Sequence, residues 1–381
     1  MRLAAPAGDD PRDILAAVKS ALHGAGPALA LGATAGSSPA EVPAGTAVVV
    51  TTSGSTGVPK SVILSRSALT ASAMSTAERI GSGAWLLALP PTYVAGLQVL
   101  VRATVAGREP AVLSGRFTPQ TFSSAALMMA SARGGERVPT YTSLVPAQLQ
   151  AILDAAADDD TVLRAARSFE AVLIGGQALP ASVRERAEAA GVRIVRTYGS
   201  TETSGGCVYD GVPLDGTRMR VVDGELQLSG PTLADGYLGD PERTAAAFPV
   251  DADGTRWYRT GDEAEIDDGV LRVQGRIDNV IVSGGINVSL DRVERVVRGI
   301  AGLHAAVVIG VADDRWGEAS VIVSDAPDAH ERAEELLRIA RDAVGREIGL
   351  HARPSRLVPV EALPQLTSGK PDRERLRRNL A

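Results

Sequence analysis

Three short stretches of this chain combine residue types that can hold a phosphate, a hard metal ion and a reacting carboxylate. The first is Thr51-Thr52-Ser53-Gly54-Ser55-Thr56-Gly57-Val58-Pro59-Lys60. Hydroxyls, glycines that let backbone N–H groups face a ligand, and a terminal ammonium are the parts of a phosphate cradle. The second is Thr197-Tyr198-Gly199-Ser200-Thr201-Glu202-Thr203. Tyr198 can stack on a base, Thr201 can donate to a phosphate, and Glu202 is a hard oxygen ligand suited to Mg²⁺. The third is Gln365-Leu366-Thr367-Ser368-Gly369-Lys370, which presents an ammonium near the end of the chain.

The first stretch nearly fits a Walker A loop: Gly54, four residues, then Pro59-Lys60-Ser61. Pro59 stands where the second glycine belongs. It has no N–H to donate and its φ is fixed, which disfavours a P-loop kinase or GTPase. Taken alone, the stretch also reads as a Ser/Gly-rich surface loop. Lysine usage bears on the choice. Lys19, Lys60 and Lys370 are the only lysines among 39 basic residues. Where a chain otherwise uses arginine, a retained lysine suggests a need for a compact ammonium, although Lys19 falls in a plain surface helix.

The bulk properties narrow the class. A chain of 381 residues suggests two or three domains. Its 45% hydrophobic content is ample for a core, and no apolar run approaches a membrane span. Met1 to Asp13 has early acidic residues and no sustained apolar stretch, unlike a secretory signal. Cys207 is the single cysteine, which excludes an internal disulfide and a cysteine-based zinc site. These points favour the cytoplasm. A net charge of −6 and 3% aromatics argue against nucleic acid as a partner. Four scattered histidines show no metal-ligand spacing.

The elements that must position these residues follow from pattern. A helix is expected around Pro11–Leu22, then a loop with little regular structure over Gly24–Gly45. Ala47-Val48-Val49-Val50 reads as a strand, followed by the polar loop and a helix over Ser67–Ile80. Buried strands are expected at Ala84–Leu89, from Thr140, at Ala171–Ile174 and at Val192–Arg196, with helices between them. This alternation indicates βαβ units and a largely parallel sheet, whose ligands bind at the carboxyl ends of strands. Asp158-Asp159-Asp160 reads as a solvated loop. Asp223-Gly224 and Asp268-Gly269 are hairpin turns between alternating residues. Beyond the glycine loop Ile281–Val288 a compact α+β unit is expected. Its helix starts near Ser289 or Asp291, strands lie at Ala305–Val311, Ala319–Val323 and Arg356–Val360, and a helix spans about His330–Ile348. Arg373, Arg375, Arg377 and Arg378 read as a solvated helical face, with holding the phosphates of CoA as the alternative.

From about Val48 to its end, the chain resembles the adenylate-forming superfamily of acyl-CoA synthetases, adenylation domains and luciferases. The motifs that carry the resemblance are the Thr51–Lys60 loop, Tyr198-Gly199-Ser200-Thr201-Glu202, Trp257-Tyr258-Arg259-Thr260-Gly261-Asp262, Gly275-Arg276-Ile277-Asp278-Asn279 and Thr367-Ser368-Gly369-Lys370. Within that superfamily it is most similar to the o-succinylbenzoate–CoA ligase branch of menaquinone biosynthesis, through Leu89–Leu100, Thr142–Leu149 and Thr203–Tyr209. The resemblance implies an α/β fold. Residues 1–275 would form a large N-terminal domain of mainly parallel βαβ sheets with a small β-barrel-like subdomain, shortened at its start relative to the superfamily. Residues 276–381 would form a smaller α+β C-terminal domain joined by a hinge.

It also implies roles. ATP, Mg²⁺ and CoA would be required, with an aryl acid as the other small-molecule partner. Thr52, Ser53, Gly54, Ser55, Thr56, Gly57, Lys60, Gly175, Gly176, Gln177, Ala178, Tyr198, Gly199, Asp262 and Arg276 would bind ATP. Lys370, Thr201 and Glu202 would be catalytic, with Glu202 holding the metal. Tyr93, Ser143, Ser200, Thr203, Ser204 and Gly205 would line the acid pocket. Superfamily members often have His at the Tyr93 position, and a core tyrosine at a strand–helix junction explains Tyr93 equally well. Asp278 would be the hinge, and Ser283, Gly284 and Gly285 would line the CoA tunnel. Asp262 taken alone is an aspartate in a polar turn, and Lys370 a tail lysine. A homodimer is held open. Two other readings stay open: an enzyme that loads a carrier-protein thiol, and a catalytically silent nucleotide-binding regulator.

Overall fold

The computed structural model describes residues 1–32, 41–52, 59–129, 132–366 and 371–380. They fall into two compact units. The larger comprises Met1–Leu179, Val183–Arg220 and Gln227–Arg259, and the smaller Pro180–Ser182, Val221–Leu226 and Thr260–Ala381.

Two sheets build the larger unit. The first has five strands, in the order Leu3–Ala4, Ala28–Leu31, Thr46–Thr52, Lys60–Ser65 and Gly236–Tyr237. Its first three strands are parallel and its last two pairings antiparallel. Two expectations are corrected here. Ala28–Leu31 is a buried strand rather than loop, because its apolar Ala-Leu-Ala-Leu residues fit between two parallel neighbours. The Thr51–Lys60 loop leads into a second strand before the helix. A connection so short can only return the chain antiparallel, and Thr52 lies opposite Lys60 in that ladder.

The second sheet has seven strands, in the order Val212–Pro213, Gly205–Tyr209, Ile194–Ser200, Ala171–Ile174, Thr140–Leu144, Ala84–Leu87 and Ala111–Val112. The five from Ile194–Ser200 to Ala111–Val112 are parallel, as the βαβ spacing requires. Helices pack on both faces. Pro11–Leu22 is capped by the Asp10 side chain and buries Ile14, Leu15, Val18 and Ala21 on one stripe. That stripe joins a core with Val48, Val50, Leu64, Leu97, Leu100 and Tyr141. On the other side, Phe122, Leu149, Ile152, Val162 and Phe169 pack against Leu86, Val172 and Ile174. Asp159 is not simply solvated: its side chain caps the helix Asp160–Arg167.

Asp223 and Gly224 have φ of 50° and 82°, and Asp268 and Gly269 have 48° and 77°. Both are therefore two-residue turns with positive φ at both central positions, which match the twist of the strands they join. The four strands so joined, Arg218–Val222, Glu225–Ser229, Tyr258–Asp267 and Val270–Arg276, form one sheet.

The smaller unit carries a further five-stranded sheet. Its path is Ile286–Ser289, Val280–Ser283, Gly317–Ser324 and Val307–Asp313, and Arg356–Pro359 pairs in parallel with Gly317–Ser324. Ser289, one of the two candidates, caps the helix Leu290–Arg298 by accepting from Arg292 N. The arginine-rich end differs from expectation. Arg373 is drawn inward, donating to Val308 O at 2.7 Å and to Glu294 Oε2 at 2.6 Å. Glu294 is buried, accepts from Val308 N at 2.9 Å, and also pairs with Arg298 at 2.9 Å. One carboxylate thus compensates two arginines. Glu294→Gln should destabilise the chain by about 3 kcal/mol, because it leaves both cations under-compensated in a low-dielectric surrounding. Urea unfolding at neutral pH measures this.

Candidate active site

In the second sheet, the parallel register aligns the strand ends where ligands bind. Leu144 lies opposite Ile174, and Ile174 opposite Arg196. Ser143, the Gly175-Gly176-Gln177-Ala178 turn and Tyr198 therefore sit at the carboxyl ends of three adjacent strands. Gly175 N donates to Leu144 O at 3.2 Å, and a Cβ on Gly175 would stand 2.4 Å from Thr197 Oγ1. Gly199 is under a harder constraint. A side chain there would meet Gly205 O at 2.0 Å, so only glycine lets the strand Gly205–Tyr209 fold back against Ile194–Ser200.

Between those two strands, Thr201–Thr203 forms a single tight helical turn. The Thr203 hydroxyl closes it, accepting from Ser200 N at 2.9 Å and lying 2.7 Å from Gly205 O. Ser204 leaves the turn in the left-handed region, at φ 53°. Its carbonyl accepts from Gln98 Nε2 at 2.6 Å and from Ser72 Oγ at 3.2 Å. Thr201, Glu202, Thr203 and Ser204 are all buried.

Glu202 is the electrostatic centre. It is only 3% exposed, its Oε1 is salt-bridged to Lys60 Nζ, and it accepts from the Tyr237 hydroxyl at 3.0 Å. Residues 60 and 202, 142 positions apart, thus meet. Burial pushes the Glu202 carboxyl upward, but the Lys60 charge and hydrogen bond outweigh it, with a contribution from Ser200, and hold the carboxyl below its ordinary range. Burial and the Glu202 carboxylate both raise Tyr237, which stays a neutral donor. The Lys60 ammonium also lies 5.3 Å from the centroid of the Tyr237 ring. Tyr237 belongs to the strand paired with Lys60–Ser65, so one ladder sets both partners of the carboxylate. Glu202 suits Mg²⁺ as a single ionised oxygen ligand; such an ion takes its remaining ligands from phosphate and water.

Sequence reasoning missed four residues here. Tyr237 is one. The others are Gln98, Arg102 and Tyr209. Gln98 and Arg102 stand one turn apart on the helix Val94–Val105, which Tyr93 precedes as its N-cap. Arg102 is 6% exposed, donates to the Tyr209 hydroxyl at 3.2 Å, and lies 5.0 Å from the Trp85 ring centroid. No carboxylate among the described residues pairs with it, and its Nε has no partner. Among the described residues, the buried Ser143 Oγ, Ser204 Oγ and Gln98 Oε1 likewise have no partner. The signal was present: an arginine inside the apolar run Val99-Leu100-Val101-Arg102-Ala103.

In the smaller unit, Arg276 lies opposite Asp262 in the Tyr258–Asp267/Val270–Arg276 hairpin and approaches Asp262 Oδ1 at 3.3 Å. Its guanidinium grips Asp278 through two bonds of 2.9 Å, while its backbone N donates to Asp291 at 2.7 Å. Ser283 ends a strand, and Gly284 and Gly285, at φ 60° and 81°, turn it into Ile286–Ser289. Ser53, Gly54, Ser55, Thr56, Gly57 and Lys370 lie outside the described residues.

Comparison with known proteins agrees with this class of site. The family model for the AMP-binding enzyme matches residues 8–238, and that for the AMP-binding enzyme C-terminal domain matches 292–370. The chain belongs to the AMP-binding enzyme family. A probable 2-succinylbenzoate–CoA ligase of Mycobacterium tuberculosis is 40% identical over 99% of this chain and 97% of its own length. The 2-succinylbenzoate–CoA ligase of Enterococcus faecalis is 30% identical over 85% of this chain and 67% of its own. Among solved structures, a variant of Escherichia coli MenE with bound OSB-AMS superposes with a TM-score of 0.71 at 26% identity, covering 90% of this chain and 70% of that one.

The Glu202 carboxylate gives a pH prediction. A carboxyl held low in the fold contributes stability that is complete above the ordinary glutamate value of 4.5 and is lost as pH falls through the depressed one. Glu202→Gln removes that contribution. The stability gap between wild type and variant should therefore be widest near neutrality and shrink on acidification below that value. Guanidinium unfolding across this range measures it.

Proposed function

We propose that this chain is an ATP-dependent acid–CoA ligase that converts 2-succinylbenzoate, ATP and CoA to 2-succinylbenzoyl-CoA, AMP and diphosphate in menaquinone biosynthesis. The reaction is assigned to the cytoplasm. The observation that carries the choice of acid is Arg102. A guanidinium stays charged at any physiological pH, and burying it unpaired is costly. Among the described residues no carboxylate pairs with this one and its Nε has no partner, which suits an arriving anion. An acid with a second carboxylate supplies one, and it agrees with the relatives' names.

The chemistry has two halves. One acid carboxylate attacks the α-phosphorus of ATP and expels diphosphate. The CoA thiol then attacks the acyl carbonyl and expels AMP. In the first half, Thr52 and the residues to Lys60 hold the β- and γ-phosphates with Thr201. Tyr198, with Gly199 and the Gly175–Ala178 turn, accommodates the base, and Asp262 and Arg276 serve the ribose. Glu202 would hold Mg²⁺, which would supply charge neutralisation at the phosphates. Lys370 bridges the carboxylate and α-phosphate oxygens, an electrostatic role at the transition state. Ser143, Ser200, Thr203, Ser204, Gly205 and Tyr93 surround the acid. In the second half, the segment beyond Asp278 reorients, and Ser283, Gly284 and Gly285 admit the narrow pantetheine thiol.

Supplied with ATP, Mg²⁺, CoA and a panel of acids, the protein should yield the 2-succinylbenzoate thioester, detected by mass; thioester on a carrier protein but not on free CoA would overturn the assignment. Lys370→Ala should lower ATP–diphosphate exchange by about 10²–10³-fold. Arg102→Met should raise KM for the diacid by roughly tenfold or more and leave KM for ATP in place.

A further inference from the structure

The Arg102 guanidinium is fixed by a relay in which every proton has one possible direction. Arginine only donates, so at 3.2 Å the Tyr209 oxygen accepts from Arg102 Nη2. Tyr209 then sends its own proton elsewhere, and Thr76 Oγ1 stands 2.9 Å away. The Thr76 hydroxyl donates to Ser72 O at 2.9 Å, one turn back on the helix Arg66–Ile80. It therefore accepts from Tyr209. All four residues are buried. Beneath the guanidinium lies Trp85, itself stacked on Tyr141 with centroids 5.2 Å apart. Trp85 packs against the guanidinium carbon, and the Tyr209 oxygen takes one of its N–H groups. The relay engages Nη2 and leaves Nε without a partner among the described residues. Ser72 also reaches forward, donating its hydroxyl to Ser204 O, the same carbonyl that Gln98 holds.

We propose that Tyr209 and Thr76 are positioning residues for acid specificity. They turn the Nε-bearing edge of Arg102 toward the carboxylate that is not activated, and so make a diacid preferred over a monoacid. This rests on the role given to Arg102 above. A guanidinium without the Tyr209 acceptor can spend Nη2 on the substrate in other orientations, and the two-point geometry that rewards a second carboxylate is lost.

The test compares KM for 2-succinylbenzoate with competitive inhibition constants for its two monocarboxylate analogues, each lacking one acid group. In wild type the diacid should bind more tightly than either analogue. Tyr209→Phe keeps the ring and removes the acceptor; the diacid should lose about tenfold more affinity than the analogue that lacks the non-activated group. Thr76→Val removes the relay's next acceptor without touching Tyr209, and should shift the same ratio in the same direction. Equal weakening toward all three acids would make both residues merely structural and overturn the proposal. So would an unchanged ratio in both variants. A wild type that shows no preference for the diacid would overturn the Arg102 reading itself, and with it this one.

Discussion

A buried carboxylate has to be compensated, and in this protein that requirement fixes the centre of the larger unit. Glu202 is out of water and ionised, so its partners cannot be optional. Lys60 arrives from the first sheet and Tyr237 from the strand beside it. The carboxylate stands on the tight turn that closes the second sheet's bend. One ion pair therefore ties the two sheets together beside the strand ends that flank residues 53–59. The same lysine is opposite Thr52 in the ladder, so the ends of the polar loop are placed by the contact that neutralises the glutamate.

The rest of the site follows from register and close approach. Parallel pairing brings the ends of Thr140–Leu144, Ala171–Ile174 and Ile194–Ser200 level. Gly199 permits the fold-back that an alanine would block against Gly205 O. The helix Val94–Val105 lies along that fold-back, with Gln98 on the Ser204 carbonyl and Arg102 on Tyr209. Glu202 is thus a negative charge compensated within the protein, whereas no carboxylate among the described residues pairs with Arg102.

The smaller unit uses another device. Arg276 is shared among Asp262, Asp278 and the Thr260 carbonyl, at 2.7 Å for the last. Its backbone N is held by Asp291, which also accepts from Asn279. Residues on either side of Asp278 are thereby cross-linked through side chains. At the other end, Glu294 and Arg373 anchor the terminal helix Arg373–Leu380 to the unit's own sheet.

Much of this was legible in the linear sequence, for local reasons. Pro11 after a capping aspartate, Asp-Gly between alternating residues, and glycine at strand ends act within a few positions, and each lies where pattern placed it. The Glu202 motif and its convergence with Lys60 were expected from residue types suited to a phosphate, whereas the ion pair that joins them was not. What the chain's order could not show was long-range compensation. That Ala28–Leu31 is a strand depends on the neighbours that sandwich it. That Arg373 faces inward depends on Glu294, 79 positions away. Tyr237 and Tyr209 look like ordinary core tyrosines until their hydroxyls meet Glu202 and Arg102. Residue types determined which chemistry was available; only the packed structure decided which charges were buried and which were neutralised, because burial and partnership arise from distant segments brought together.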